Sequence, residues 1–134
     1  MKADAPTEAA VLAAFEAFQQ ASGQQDLERL LALFAPDADL VLIGTGADEL
    51  AVGVAEVKKL YEREVAHGLP TSWEVVWSSV SAAGSVAWMA MHGVMHIGAA
   101  GQESHVPLRI TAVLEQRGGK WLVVQGHTSM PAAA

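Results

Sequence analysis

Along the first half of the chain apolar residues recur at intervals of three and four, and beyond Pro70 they alternate with polar ones. The first spacing is that of a helix with one buried face and the second that of half-buried strands. Val11, Phe15 and Phe18, with Leu12 beside them, predict a first helix. Thr7 caps it, Glu8 complements its positive end and Gly23 closes it. Asp26 heads a shorter helix that buries Leu27, Leu30, Leu31 and Phe34 and stops before Pro36. The segment "ADLVLIGTG" reads as a strand running into a glycine turn. From Gly53 to about His67 a third helix points Val54, Val57, Tyr61 and Val65 inward and Lys58, Lys59, Glu62 and Arg63 to water. Gly68 ends it.

The period-two half divides into four strands. "TSWEVVWSSV" puts Trp73, Val75 and Trp77 on one face, and "AWMAMHGVMHIG" follows a turn at Gly84. The latter run holds His92 and His96 four apart, which on a helix would suit a shared metal ion. Gly93 within it, glycine turns at both ends and strands on either side make it a strand. The two imidazoles then lie about 13 Å apart and cannot chelate one ion, so no metal and no other cofactor is expected. "SHVPLRITAVLEQ" and "KWLVVQGHTS" complete a meander. Three helices around one strand and then four consecutive strands make an α+β domain, residues 1–134, with 1–6 and 131–134 as flexible tails.

Turn chemistry proposes registers. A three-residue loop over "AAG" (99–101) sets His92 opposite Leu108, and a two-residue turn at Gly118–Gly119 sets Leu114 opposite Val123 and Ile110 opposite His127. One face then carries Trp88, Ala90, His92, Val94 and His96 with Leu108, Ile110, Ala112, Leu114, Trp121, Val123, Gln125 and His127. The other carries Met89, Met91, Met95, Ile97, His105, Arg109, Thr111, Val113, Leu122 and Val124.

Composition removes several classes of function. The net charge is −7 with only eight scattered Lys and Arg, which argues against a nucleic-acid partner. The longest apolar run is too short to span a membrane and the N-terminus has no apolar core of a secretory signal. There is no cysteine, hence no disulfide or thiolate chemistry, which fits a cytoplasmic protein.

The element order, the stretch "LFAPDADLVLIGTG", the hairpin "LRITAVLEQRGGKWLVVQGHTS" and its ending from Trp121 to "HTS" resemble the SnoaL-like branch of the nuclear transport factor 2-like superfamily. The resemblance covers almost the whole chain. It implies a cone, a curved mixed or antiparallel sheet whose concave face is closed by the three N-terminal helices around a pocket, and a convex face that commonly forms a homodimer. The scaffold hosts isomerases, epoxide hydrolases, hydratases, polyketide cyclases and non-catalytic hubs, so fold alone specifies no reaction. The acidic base of the steroid isomerases has no counterpart in Leu40–Ile43, and Thr111 or Ala112 stands where their late acid would be. The charged set of the limonene-type epoxide hydrolases has none either.

On these registers the candidate site lies in the cone. His127 and His92 are the candidate general bases, about 12 Å apart across one cavity. Tyr61, Trp73, Trp77, Trp88, Ile110 and Gln125 are the candidate substrate contacts, with Gln125 and Tyr61 donating to a developing oxyanion. The competing reading of each histidine is a neutral ring satisfied by backbone or water. Asp37, Asp39, Asp48 and Glu49 flank the first strand as solvated carboxylates, one of which can reach the cone mouth as an acid or base. His96 is expected at the rim, and His67 at a helix C-terminus as a structural group. The chain is therefore expected to bind or transform a small apolar molecule. The alternative is a non-catalytic oligomerisation or interaction module with a vestigial pocket. A homodimer is expected through Met89, Met91, Met95, Leu122 and Val124.

Overall fold

The computed structural model describes residues 1–98 and 101–132. Three helices, α1 (Ala5–Gly23), α2 (Leu27–Leu31) and α3 (Val54–His67), accompany a six-stranded sheet. Its strands are β1 (Val41–Ile43), β2 (Leu50–Val52), β3 (Thr71–Ala83), β4 (Val86–Ile97), β5 (Ser104–Arg117) and β6 (Lys120–Ser129), in the order β2-β1-β6-β5-β4-β3. The meander β3 to β6 is antiparallel, and β1 joins β6 in parallel, so the sheet is mixed and open. This is the α+β architecture the chain pattern predicts, with the helices on one face of the sheet.

Local chemistry explains the helix ends with one change. Asp4, rather than Thr7, caps α1: its carboxylate accepts from the Thr7 amide at 2.8 Å. Asp26 caps α2 through the Arg29 amide, and Gly68 ends α3 at φ 68°, where a Cβ would be strained. The N-terminus is not a free tail. Lys2 bridges Ser81, the Ala3 amide donates to the Val80 carbonyl and Ala3 is buried, so residues 1–3 extend the edge of β3. β2 is an addition that three residues between turns did not announce.

The registers hold the main corrections. In the β4–β5 hairpin His92 faces Arg109, not Leu108, because the connection is six residues long, from Gly98 to Glu103. The expected "AAG" loop includes Ala99 and Ala100, which lie outside the described residues, but the ladder on either side is unambiguous. A one-residue slip reverses every side chain of β4. Met89 and Met91 therefore point to the helices, 4% and 1% exposed, and Trp88, Ala90, His92, Val94 and His96 point away.

The Gly118–Gly119 turn forms as expected, with both glycines at positive φ and Leu114 opposite Val123. A bulge then leaves Val124 unpaired, so Gln125 faces Val113 and His127 faces Thr111. From that point β6 is reversed relative to the expected register. A second bulge at Val76 on β3 separates Trp73, which turns inward, from Trp77, which turns outward. The expected dimer surface is thus corrected: Met89 and Met91 are core and Met95 lines the inner cavity, while Leu122 keeps the outer face.

The core has two centres under the helices. One joins Leu30, Phe34, Leu40, Leu42, Val57, Leu60 and Tyr61. The other joins Ala3, Val11, Val80, Ala87, Met89 and Leu114. Among the described residues no helix is long and apolar enough to cross a membrane.

These faces predict opposite responses at adjacent positions. Met91→Ala should cost about 2–5 kcal/mol, as for other buried large-to-small changes. His92→Ala should stay within about 0.5 kcal/mol, as for a surface substitution. Urea denaturation of both variants checks the face assignment, which fails if the two costs are reversed.

Candidate functional site

Between the two core centres the helices stand off the sheet and leave a cavity of about 370 Å³. That is within the usual size range for small-molecule sites. Its walls follow from periodicity on both sides. Val11, Phe15 and Phe18 on α1 look down on Met89, Met95, Ile97, Leu108, Ile110 and Ala112 from the inner face of β4 and β5. Phe18 is the hub of the aromatic wall, 6.2 Å from Tyr61 and 6.4 Å from Trp73 between ring centres, and Phe15 meets Trp73 edge-on at 5.9 Å. At the end of α1, Gly23 lets the helix close on β3, since a Cβ there would lie 2.8 Å from the Thr71 carbonyl oxygen. Ser22 and Thr71 share a hydrogen bond at 3.3 Å beside it.

Of the residues expected in the site, Tyr61, Trp73 and Ile110 line the cavity. Trp77, Trp88, His92 and Gln125 do not. They occupy the outer face, where Trp77 and Trp88 are 54% and 39% exposed and His92 meets the Trp77 ring edge-on at 6.1 Å. His127 touches the cavity only at its rim. It is exposed, and its register with Thr111 aims it along the outer side. His92 and His127 therefore do not border one cavity, because the β4 slip and the β6 bulge each turned one of them outward.

The polar groups that do meet the cavity are mostly ones the sequence pattern left as surface. The exposed lining residues, which mark the mouth, include Thr45, Glu64 and His67, with the half-buried Glu49 among them. Tyr61 and Glu64 are three apart on α3 and so share a face. Glu49 is the flanking carboxylate that reaches the mouth. Asp37 instead forms a two-point ion pair with Arg117 at 2.6 and 2.8 Å, which holds its carboxyl below the usual range. The turn "GTG" makes room for Glu49: a Cβ on Gly44 would collide with its carboxylate, and one on Gly46 would lie 3.0 Å from it. The signal in the sequence that points to this cluster is the i, i+3 spacing of Tyr61, Glu64 and His67 along α3.

Electrostatics distinguishes Glu64 from the other acids. Although Glu64 is an exposed residue, partial loss of hydration where it lines the cavity mouth raises its carboxyl above the ordinary glutamate value, and the like charge of Glu49 raises it further, against opposing pulls from Arg63 and His67. Desolvation, with Glu64 and Glu49 nearby, pushes the Tyr61 hydroxyl far above its ordinary value, so it stays a neutral donor. His67 Nδ1 lies 2.7 Å from the Arg63 carbonyl oxygen, which can only accept. Nδ1 therefore carries the proton and, in the neutral ring, Nε2 is left to accept another. The Trp73 indole N–H is buried and has no partner among the described residues. Among the described residues no Lys or Arg lines the cavity. The arrangement is an apolar chamber bordered by the Tyr61 phenol, with the raised carboxyl of Glu64 at its mouth.

A family model described as a SnoaL-like domain matches residues 11–133. A comparison with curated proteins finds no match. Among solved structures, a Streptomyces avermitilis protein named as a candidate dehydratase of the nuclear transport factor 2-like family superposes with a TM-score of 0.83 at 22% identity, covering 92% of this chain and 95% of that one. A Pseudomonas putida protein of unknown function gives 0.83 at 22% identity, over 97% and 90% of the two chains. A Xanthomonas campestris protein named as a candidate calcium/calmodulin-dependent kinase II association domain gives 0.78 at 24%, over 99% and 96%. Identities this low establish a shared fold and nothing further.

The Glu64 environment has a signed consequence for stability. Its folded-state pKa lies above the unfolded value, so ionising it opposes folding. The cost is absent below the unfolded pKa of about 4.3, grows as pH rises through the folded pKa and is complete above it. Glu64→Gln should therefore melt above the parent at neutral pH, with the gap closing as pH falls towards about 4. Thermal melts across that range check it, and a gap that widens on acidification contradicts the assignment.

Proposed function

Because the chain belongs to the family of SnoaL-like domains, we propose that it is a small-molecule pocket protein that binds a neutral, largely apolar molecule and moves a proton on it. The observation that carries this reading is the apolar cavity of about 370 Å³ with the raised carboxyl of Glu64 at its mouth. A cavity of that size with an aromatic wall favours a ring-like or similarly compact ligand. Among the described residues two carboxylates and no Lys or Arg line it, which disfavours an anion.

Roles follow from chemistry. A ligand carbonyl inside the chamber would accept from the Tyr61 hydroxyl. A donor held in such an apolar site stabilises negative charge that develops on that oxygen. Glu64 would exchange the proton at the neighbouring carbon, and a raised carboxyl suits that task near neutral pH. His67 Nε2 would take the proton onward to solvent, and His127 at the rim would be a second group for the same step. Isomerisation, dehydration and cyclisation all begin with such a transfer. The Streptomyces avermitilis neighbour is named as a candidate for one of these, dehydration.

The test is a thermal-shift screen of neutral cyclic ketones and enones against matched carboxylates. Compounds that stabilise the protein are then followed by NMR for deuterium exchange at the carbon beside the carbonyl. Neutral compounds should raise Tm and the carboxylates should not. Glu64→Gln should keep binding and lose exchange by about a hundredfold or more. Tyr61→Phe should weaken binding about three- to tenfold by removing the donor hydroxyl. Exchange in Glu64→Gln at the parent rate, or no stabilisation by any neutral compound, rejects the reading.

A second reading concerns the outer sheet face and is compatible with the first. Exposed Trp77 and Trp88 stand there with half-buried Val94, Val113 and Leu122, an apolar surface that a lone chain would leave to water. We propose that a second copy covers it, in place of the methionine surface expected from the sequence. Light scattering should give a dimer at micromolar concentration and Trp77→Glu should give a monomer. A monomeric parent rejects this reading.

A further inference from the structure

On the outer face, at the end of the sheet behind Met95 and Ile97, three strands bring together side chains that no account of the cavity uses. His96 on β4 pairs directly with His105 on β5. Their rings meet edge to face with centres 4.7 Å apart, and the two Nδ1 atoms are 2.5 Å apart. The carboxylate of Glu103 completes a set in which one ligand atom from each residue lies within 4.8 Å of the others. On the other side of His96, its Nε2 lies 3.8 Å from the Glu74 carboxylate on β3. The registers expected from turn chemistry put these histidines on opposite faces, and the β4 slip reunites them.

We propose that His96 Nδ1, His105 Nδ1 and the Glu103 carboxylate bind one divalent transition-metal ion of the zinc class, with water completing the shell. Two imidazole nitrogens facing each other at this distance can hold only one proton between them. His105 is exposed and its ring is free to turn to water instead, so its pairing with the half-buried His96 suits a shared cation better than a chance surface contact. The distances are also those of a site one small movement from closure. With metal–nitrogen bonds of about 2.0–2.1 Å, tetrahedral ligands stand about 3.3 Å apart. The two nitrogens must part by less than about 1 Å and the carboxylate must approach by at most about 1.5 Å, which side-chain rotation supplies. Nitrogen and carboxylate donors without thiolate select zinc, nickel or copper over magnesium and calcium, which prefer oxygen shells.

Glu74 gives the site its second layer. A metal-bound imidazole donates its remaining N–H to a carboxylate or carbonyl, which fixes the ring. Here His96 Nε2 lies 3.8 Å from the Glu74 carboxylate, close enough for side-chain rotation to make such a bond, so an ion on Nδ1 would tie β3, β4 and β5 together at one end. Met95, Ile97 and Thr71 occupy the inner side of the same strand ends and line the cavity. The ion would act as a clip on that wall and not as a catalyst, since the ligands face away from the chamber.

The experiment is calorimetric titration of tag-free, chelator-stripped protein with zinc, nickel and magnesium chlorides. The parent should bind one zinc or nickel ion per chain and no magnesium. At about a hundredfold excess over Kd, Tm should rise by about 5 °C or more. His96→Ala and His105→Ala should each abolish stoichiometric binding, Glu74→Gln should weaken it about tenfold, and His92→Ala should leave it unchanged. His105 is exposed, so its variant should melt with the metal-free parent. Should either variant misfold, NMR of the parent decides: zinc must shift the Nδ1 resonances of His96 and His105. No binding up to about 1 mM zinc, a parent level of binding in His105→Ala, or bound zinc that leaves those resonances unmoved overturns the site.

Discussion

The pairing of β4 with β5 is the constraint on which the rest of the structure depends. Twelve consecutive residue pairs, from Val86 with Glu115 to Ile97 with Ser104, leave no slack in the register. Side chains alternate across a strand, so this one alignment decides both faces at once. It sends Met89, Met91 and Met95 beneath the helices and sends Trp88, His92 and His96 to the outer surface. The unbranched methionines fill the irregular space under α1 where β-branched side chains would pack less adaptably.

The chamber exists because the walls are apolar where they are deep and polar only where they meet water. Residues on the inner sheet face have no solvent to satisfy a charge, and those nearest the helices are Val, Leu, Ile, Met and Ala. Ionisable groups enter from element ends instead: Glu64 and His67 from the last turns of α3, Glu49 from the turn between β1 and β2. Their shared edge explains the raised Glu64 carboxyl, which feels both desolvation and the Glu49 charge. The Gly44–Gly46 turn matters for space more than for flexibility, since its missing side chains are what let Glu49 fold back over it.

The two bulges have consequences out of proportion to their size. Each adds one residue to one strand and turns over everything beyond it. The bulge at Val76 keeps Trp73 in the aromatic wall while releasing Trp77 to the surface, and the one at Val124 takes Gln125 and His127 out of the chamber. The outer face thereby gains Trp77, Gln125 and His127, while the inner face keeps Trp73 and the aliphatic residues that line the cavity.

Much of this was legible in the chain. Helix spacing, the Asp26 cap, the Gly68 stop, the Gly118–Gly119 turn and the alternation beyond Pro70 are local properties, set by φ, hydrogen-bond geometry and side-chain period within a few residues. They determined the α+β order, the inward faces of α1 and α3 and the inner face of β5. Tyr61, Trp73 and Ile110 fell in the site for the same reason. The faces of β4 and of the end of β6 were not local. They hang on the length of one connection and on a single unpaired residue, and Met, Ala, Val and His alternate too evenly there for hydrophobicity to choose a side. Proximity across strands was likewise invisible: nothing near Glu49 in sequence announces Glu64, and nothing near His96 announces His105. Those meetings were decided only by the tertiary structure, because a period-two pattern specifies which residues share a face but not which face, nor what stands across from it.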